Sequence, residues 1–507
     1  METGMGRNRI QAVANKYGCA SVCAVVLSTS ALVAGLPGSL AWAQPSGLLV
    51  ELEPAQVAGA VGDWTGTLSI GAFKLRLDVH LKSDPEDPKK LTGTMDSPDQ
   101  GAMGIPITHA EVRGDELGFE IRAAGAQFKG KLNDQGEYVG TWQQGSQNLP
   151  LILKRGSTDI KRPQTPVPPF DYVVEDVRFE NPDGGHKLAG TLTLPKDTSR
   201  PVAATILVTG SGPQDRDEAL FSHKPFAVIA DALTKRGIAV LRYDDRGFGE
   251  SGGKFSTATV TEFTSDAAAA VAYLRKDARI DADRVGVIGH SEGGLVAPLI
   301  AAEDDQIGFI VLLAAPGVPL DQLMRKQWRD MGRVMGATEE RLVEADGTAD
   351  AMLEIILSEA ETNEETAAAL RAVIVESLKT APPEEKKMVE EMGGPDASIQ
   401  TMLSVWFRDL MRRDPAVALN KVTCPVLSIT GEKDLQVAPG MNQSAIEAAL
   451  KAGGNMQATV KTLPNLNHLF QNADTGSIAE YGQIEETFDL QALQLMVDWV
   501  VEHSANH

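Results

Sequence analysis

The sequence predicts two differently built domains: a small all-β domain, then an α/β domain whose mainly parallel sheet carries helices on both faces. Three observations lead there. From Asp63 to Lys154 short stretches alternate apolar and polar residues, most plainly in "AFKLRLDVHLK". After residue 172 near-continuous apolar runs alternate with helix-patterned segments. Between them lies "GSTDIKRPQTPVPPFD", proline-rich and without periodicity.

The chain opens with Arg7, Arg9 and Lys16, an apolar and small-residue run from about Ala20 to Leu36, and Ala41-Trp42-Ala43 before Gln44. That order is a secretory leader over residues 1–43, with secretion or export to the periplasm as the expected consequence. Ser28 and Ser30 break the run, so it makes a poor span, and no stable membrane anchor is expected. Cys19 and Cys23 lack the box that precedes a lipidated cysteine. Cleavage leaves Cys424 alone, so no intrachain disulfide can form and a hydrophobic core must supply the stability. With 507 residues, 43% hydrophobic and 23% charged, the chain is long enough for that core and for more than one domain. Its net charge of −22 argues against nucleic acid or an anionic membrane as partner.

Residues 44–155 make the β-domain. In its clearest strand Phe73, Leu75, Leu77, Val79 and Leu81 face one side, and Lys74, Arg76, Asp78, His80 and Lys82 the other. "LGFEI" and "NLPLIL" continue the alternation, and Arg113-Gly114-Asp115-Glu116 and Asn133-Asp134-Gln135-Gly136 supply turns, giving a small meander or barrel. Its histidines, His80 on the polar face and His109 alone, read as solvated or hydrogen-bonded groups. Residues 156–171 suit a stiff linker.

The α/β domain occupies residues 172–507. "VAATILVTG", "IAVLRYDD", "RVGVIGH" and "GFIVLLAAP" read as strands buried on both faces, with "KPFAVIADALTKRG" and "TVTEFTSDAAAAVAYLRKD" as helices between them. Ligands of such sheets sit at the carboxyl ends of the strands. From about 320 to 415 the alternation stops, and charged helix-forming segments read as an inserted helical cap. The cap holds eight of the 15 methionines with Trp328, Trp406 and Phe407, which packing within the cap explains more simply than a lining for an adaptable apolar pocket.

Two pentapeptides match Gly-x-Ser-x-Gly: Gly289-His290-Ser291-Glu292-Gly293 and Gly249-Glu250-Ser251-Gly252-Gly253. Chance alone gives one such match in a chain of this length roughly one time in six. A nucleophile elbow needs a strand ending at the serine and a helix starting after it. Ser291 has both, in "RVGVIGH" and "EGGLVAPLIAA", although Pro298 should kink that helix. Ser251 precedes "GGKFSTATV", which reads as loop.

A serine needs a base, and the base an orienting acid, in the order Ser, Asp or Glu, His for this kind of sheet. His468, His503 and His507 follow Ser291, and His468, in "VKTLPNLNHLF", directly follows a strand-like run; the other two lie in the terminal tail. "CPVLSITGEKDLQVAP" offers Glu432 and Asp434 as the acid, with Asp434 preferred. The oxyanion donors expected are the Glu292 N–H and, from "VTGSGPQDRDE", Ser211 with Gly212 as alternative. His290 reads as structural. The mechanism needs no cofactor, and no Cys/His cluster has metal spacing.

Residues 172 to 507 resemble the α/β-hydrolase superfamily, and more narrowly the secreted bacterial esterases and serine-aminopeptidase-like hydrolases that place a small β-domain ahead of the catalytic one. The motifs are "TGSGPQDRD", "YDDRGFGESGG", "GHSEGG", "DPAVALNKVTCPVLSITGEKDLQVAP" and "LPNLNHLF". The resemblance implies an α/β-hydrolase sheet with a helical cap insertion, Thr209 where such families often carry His, and Asp245 and Arg246 holding loops beside the active site. Hydrolysis of a small-molecule acyl ester through an acyl-enzyme on Ser291 is the expected activity. A peptidase acting on short peptides through the same triad is the alternative, with acidic cap residues meeting the substrate amine. A catalytically silent binding protein is the reading from another class, against which the complete triad argues.

Overall fold

The computed structural model describes residues 59–505, apart from 71–72, 85–86, 88–89, 98–101, 145–146, 158–160, 359–361 and 392–393. The leader expected over residues 1–43 lies outside the described residues. The described chain forms two compact units, a β unit up to Arg162 that also takes in Leu220–Ser222, and an α/β unit of Pro163–Ala219 and the chain from His223 onward.

Nine strands make the β unit: β1 (Gly62–Ile70), β2 (Phe73–Ser83), β3 (Leu91–Ser97), β4 (Ala102–Pro106), β5 (His109–Arg113), β6 (Glu116–Ile121), β7 (Ala126–Leu132), β8 (Tyr138–Gln144) and β9 (Gln147–Arg155). They form one antiparallel sheet in the order β4-β3-β2-β1-β9-β8-β7-β6-β5. Consecutive strands pair as a meander, and β1 joins its two halves by pairing with both β2 and β9. The sheet curls into a half-barrel because its inner face carries the large side chains: Trp64, Leu77, Val79, Phe119, Phe128, Trp142 and Leu153 are all buried. The rings pack edge to face, Trp64 on Tyr138 at 4.8 Å between centroids.

Strict alternation fails at one place. Asp78, on the polar side of the β2 pattern, is buried. His80 sits between two carboxylates, Nδ1 at 2.7 Å from Asp63 and Nε2 at 3.1 Å from Asp96.

The α/β unit starts earlier than the expected boundary at 172. Gln164, inside the expected linker, donates to the Phe488 carbonyl at 2.6 Å and accepts the N–H groups of Thr487 and Phe488. These bonds fix the chain from Pro163 onward to its own domain, so this part is no free spacer.

The second sheet contains β10 (Val173–Asn181), β11 (His186–Leu194), β12 (Val202–Val208), β13 (Ala239–Tyr243), β14 (Ile280–His290), β15 (Ile310–Leu313), β16 (Val426–Gly431) and β17 (Ala458–Leu463). Their order is β10-β11-β13-β12-β14-β15-β16-β17. From β13 to β17 every pair is parallel, and β10 and β11 add an antiparallel edge. The inner parallel strands are largely apolar because both faces are covered, whereas the edge strand β17 carries exposed Lys461 and Thr462. Val287, Ile310 and Leu312 join the core with α2 (Val260–Arg275) and α3 (Gly293–Glu303). Ile288, Val311 and Leu313 join the one with α1 (Pro225–Lys235) and the last helix, Leu490–Ser504.

Between β15 and β16 the chain leaves the sheet for a run of helices: α4 (Leu320–Val334), α5 (Glu339–Leu357), α6 (Asn363–Thr380), α7 (Pro383–Glu391), α8 (Gly394–Leu403), α9 (Val405–Leu410) and α10 (Ala416–Leu419). Trp328, Met331, Met352, Met402, Phe407 and Met411 are buried, so these residues pack and line no open pocket. α3 continues from Gly293 through Pro298 to Glu303. Among the described residues no helix is long and apolar enough to cross a membrane.

The curled sheet of the β unit depends on its ring cluster. Phe128, with no exposed surface, should cost about 3–5 kcal/mol when replaced by Ala. Hydrogen exchange of the β6 to β8 amides would read this as lost protection within that unit; unchanged protection would contradict it.

Candidate active site

Parallel pairing of β12 with β14 ends at Val208 opposite Gly289, and β14 meets β15 with His290 opposite Leu313. The chain must then turn sharply from β14 into α3. Ser291 makes the turn at φ +52°, a conformation non-glycine residues adopt only when their surroundings force it. Its N–H donates to the Leu313 carbonyl at 2.9 Å, and its own carbonyl accepts the Gly294 N–H. The neighbouring glycines have no alternative. A Cβ on Gly289 would lie 2.0 Å from the Gly293 carbonyl oxygen, and one on Gly293 would lie 2.2 Å from that of Val208.

Asp434 and His468 come together. They sit on the loops after β16 and β17, and His468 Nδ1 lies 2.8 Å from Asp434 Oδ2 with both residues buried. The other Asp434 oxygen accepts the N–H groups of Gln436 and Val437, each at 2.8 Å, so the carboxylate cannot rotate away from the ring. Glu432 is exposed and accepts the Asn465 N–H at 3.1 Å, which steadies the histidine loop without touching the imidazole. Of the two carboxylates, Asp434 is the one in contact with His468.

The loop after β12 is held by three carboxylates. Asp245 accepts the Thr209 hydroxyl and the Gln214 N–H, each at 2.8 Å. Glu218 accepts the Gly210 N–H at 2.8 Å. The Ser211 hydroxyl faces Glu292 and pulls its pKa down against burial. Gly210 is packed so closely that an added Cβ would stand 3.3 Å from Cβ of Ser291. Among the described residues no acceptor is bonded by the N–H of Ser211, Gly212 or Glu292. These are the donors that an oxyanion would require.

Other expected residues take supporting places. Arg246 donates to Asp266 at 2.6 Å and to the Glu262 carbonyl, tying the loop after β13 to α2. Ser251 donates to the Asp244 carbonyl at 2.7 Å and accepts the Ala189 N–H, so the second pentapeptide is a hydrogen-bonded turn.

Sequence reasoning missed three contributions. Glu292 was read for its N–H, yet its buried carboxylate also accepts Trp406 Nε1 from α9, at 2.9 and 3.1 Å to its two oxygens. Burial drives the Glu292 pKa up to about 7, against the downward pull of Trp406 and Ser211. Trp406 itself was grouped with the packing residues of the cap. Glu218, eight residues beyond Gly210, sits in no motif; only its place in the loop after β12 pointed to the site. Among the described residues no group of three or more His, Cys, Asp or Glu side chains is placed to hold a metal ion.

A serine held at positive φ on a strand-to-helix turn, at the carboxyl edge of a doubly covered parallel sheet, is the arrangement of the α/β-hydrolase class. Residues 222–474 match the family of serine aminopeptidases, S33. Esterase EstD of Thermotoga maritima is 30% identical over 333 residues, 66% of this chain and 70% of that one. The putative hydrolase YtaP of Bacillus subtilis is 30% identical over 149 residues, 26% of this chain and 50% of that one. The solved structure of the Pyrococcus furiosus esterase PF2001 has 17% identity and a TM-score of 0.39, over 69% of this chain and 98% of that one. The chain belongs to the α/β-hydrolase esterase family and is a hydrolase.

Burial makes the Glu292 contribution to stability, through its carboxyl proton, depend on pH. The folded state binds this proton more tightly than the unfolded chain, whose carboxyl titrates near its ordinary 4.5, so the associated stability is full below that value. It is lost as pH rises toward about 7. Glu292→Gln should remove the loss, and its stability relative to wild type should rise from about pH 5 to about pH 8 by up to about 3 kcal/mol. Urea unfolding at both pH values measures it, and a pH-independent difference would contradict it.

Proposed function

We propose that the protein is a serine carboxylic ester hydrolase in which Ser291 is the nucleophile, His468 the general base and acid, and Asp434 the group that orients His468. The buried 2.8 Å contact between His468 and Asp434, on the loops expected of this fold, is the observation that carries the reading. Asp434 accepts from Nδ1, which leaves Nε2 as the basic nitrogen to take the serine proton. Attack of the serine oxygen on the substrate carbonyl moves negative charge onto the carbonyl oxygen. The N–H groups of Glu292 and of Ser211 or Gly212 receive it, and they are fixed in advance because Asp245, Glu218 and Glu292 hold their loop. Collapse expels the alcohol with the proton from His468, and water activated by the same ring then releases the acid.

The kinship with Esterase EstD supports an ester substrate. A cavity of about 20 Å³ lined by Gly210, Gly212, Asp245, Phe255, Phe263 and Glu292 has room for one water beside the serine turn. The leader pattern of residues 1–43 supports a place of action outside the cytoplasm.

The test pairs p-nitrophenyl acyl esters with aminoacyl p-nitroanilides. Ester turnover should dominate and disappear in Ser291→Ala, while Asp434→Asn should lower kcat by about 10⁴-fold through loss of the correct tautomer. Comparable anilide turnover would move the assignment to a peptidase. An undiminished Ser291→Ala would overturn the serine mechanism.

A further inference from the structure

A second buried acid–histidine pair lies beside the one assigned to catalysis. Oε1 of Glu218 is 2.8 Å from His290 Nδ1, and it also accepts the Gly210 N–H. Nε2 of His290 is 3.1 Å from the carbonyl oxygen of His468. Both residues are buried, and the two imidazoles stand 4.8 Å apart between ring centroids. Glu218 holds φ +51°, a strained conformation for a residue with a side chain.

Acceptors on both ring nitrogens determine the protonation state. A neutral imidazole carries one N–H, and only the imidazolium donates to Glu218 and to the His468 carbonyl together. Burial pulls the His290 pKa down, but the charge and hydrogen bond of Glu218, the His468 carbonyl and the more distant Asp434 together lift it above its ordinary value. A buried cation is tolerable here because its counterion touches it.

The pair therefore joins three parts that reaction requires at fixed spacing: the loop after β12 through Gly210, the last residue before Ser291, and the backbone of His468. We propose that Glu218 and His290 are positioning residues for ester hydrolysis, locking the oxyanion-side loop and the general base to the end of the nucleophile strand. The inference rests on the serine-hydrolase reading above. Neither side chain reacts; each acts by holding groups that do.

Glu218→Ala and Glu218→Gln, with Ser291→Ala alongside, test this on a short p-nitrophenyl ester. Glu218→Ala should lower kcat by about 10²-fold while KM moves less than about threefold, because geometry and not binding is lost. Glu218→Gln keeps an acceptor for Gly210 but removes the charge. Burial, the largest influence on His290, is then opposed only by the His468 carbonyl and Asp434, so the His290 pKa falls and one hydrogen bond loses its proton as pH rises. Its kcat should decline from about pH 6 to about pH 8, where wild type does not fall.

A wild-type kcat and pH profile in both Glu218 variants, beside an inactive Ser291→Ala, overturns the positioning pair alone. Full activity in Ser291→Ala defeats the serine reading first. If Glu218→Ala does not fold, the profile of Glu218→Gln decides; if neither folds, the pair is a stability element and the proposal fails.

Discussion

Everything at the site depends on how closely α3 approaches the ends of β12 and β14. The Gly293 position lies so near the Val208 carbonyl that one methyl group would force the helix away from the sheet. That approach sets the positive φ of Ser291 and brings the turn's N–H groups beside the loop after β12. Strain of this kind costs about 1–3 kcal/mol and persists only where packing fixes it from several sides. Here the fixing comes from strands buried on both faces, from the Ser291 N–H bonded to Leu313, and from glycines where no side chain fits.

Around this dry turn the chain has placed an unusual amount of acid. Asp245, Glu218 and Glu292 all hold parts of one loop, yet their surroundings differ. Glu218 faces His290, whereas Glu292 has the indole of Trp406 and a serine hydroxyl as its neutral donors. The Asp245 carboxyl, given a threonine hydroxyl and a backbone N–H, is likewise driven well above the carboxylate range by burial. Like charges in a low dielectric cannot all ionise cheaply. The loop is thus held by carboxyl groups with their hydrogen bonds, and burial disfavours charge on Glu292 and Asp245.

Much of this arrangement was legible beforehand because it follows from local pattern. Continuous apolar runs marked β12 to β15, and the glycines at 289, 293 and 294 marked the tight turn. Chain order and strand ends selected His468 and favoured Asp434 over Glu432. What escaped has a common physical cause. The side-chain partners of Glu292 and His290 lie 114 and 72 residues away, and no periodicity links such positions. Asp78 shows the same limit in the β unit, where alternation gives the face of a strand but not the depth of a curled sheet.

The cap helices are threaded between β15 and β16, two strands that lie side by side. To pair Ile310 with Val426, the chain must close a loop of more than a hundred residues, and the carbonyl contact of His468 with His290 spans 178. Contacts so distant in sequence form late, since the entropy of closing the intervening chain is spent before they return anything. The serine turn needs only β12, β14, β15 and α3, whereas Asp434 and His468 reach it on the loops after β16 and β17. The serine turn is thus built from contacts nearer in the chain than the one that ties the His468 loop to the end of β14.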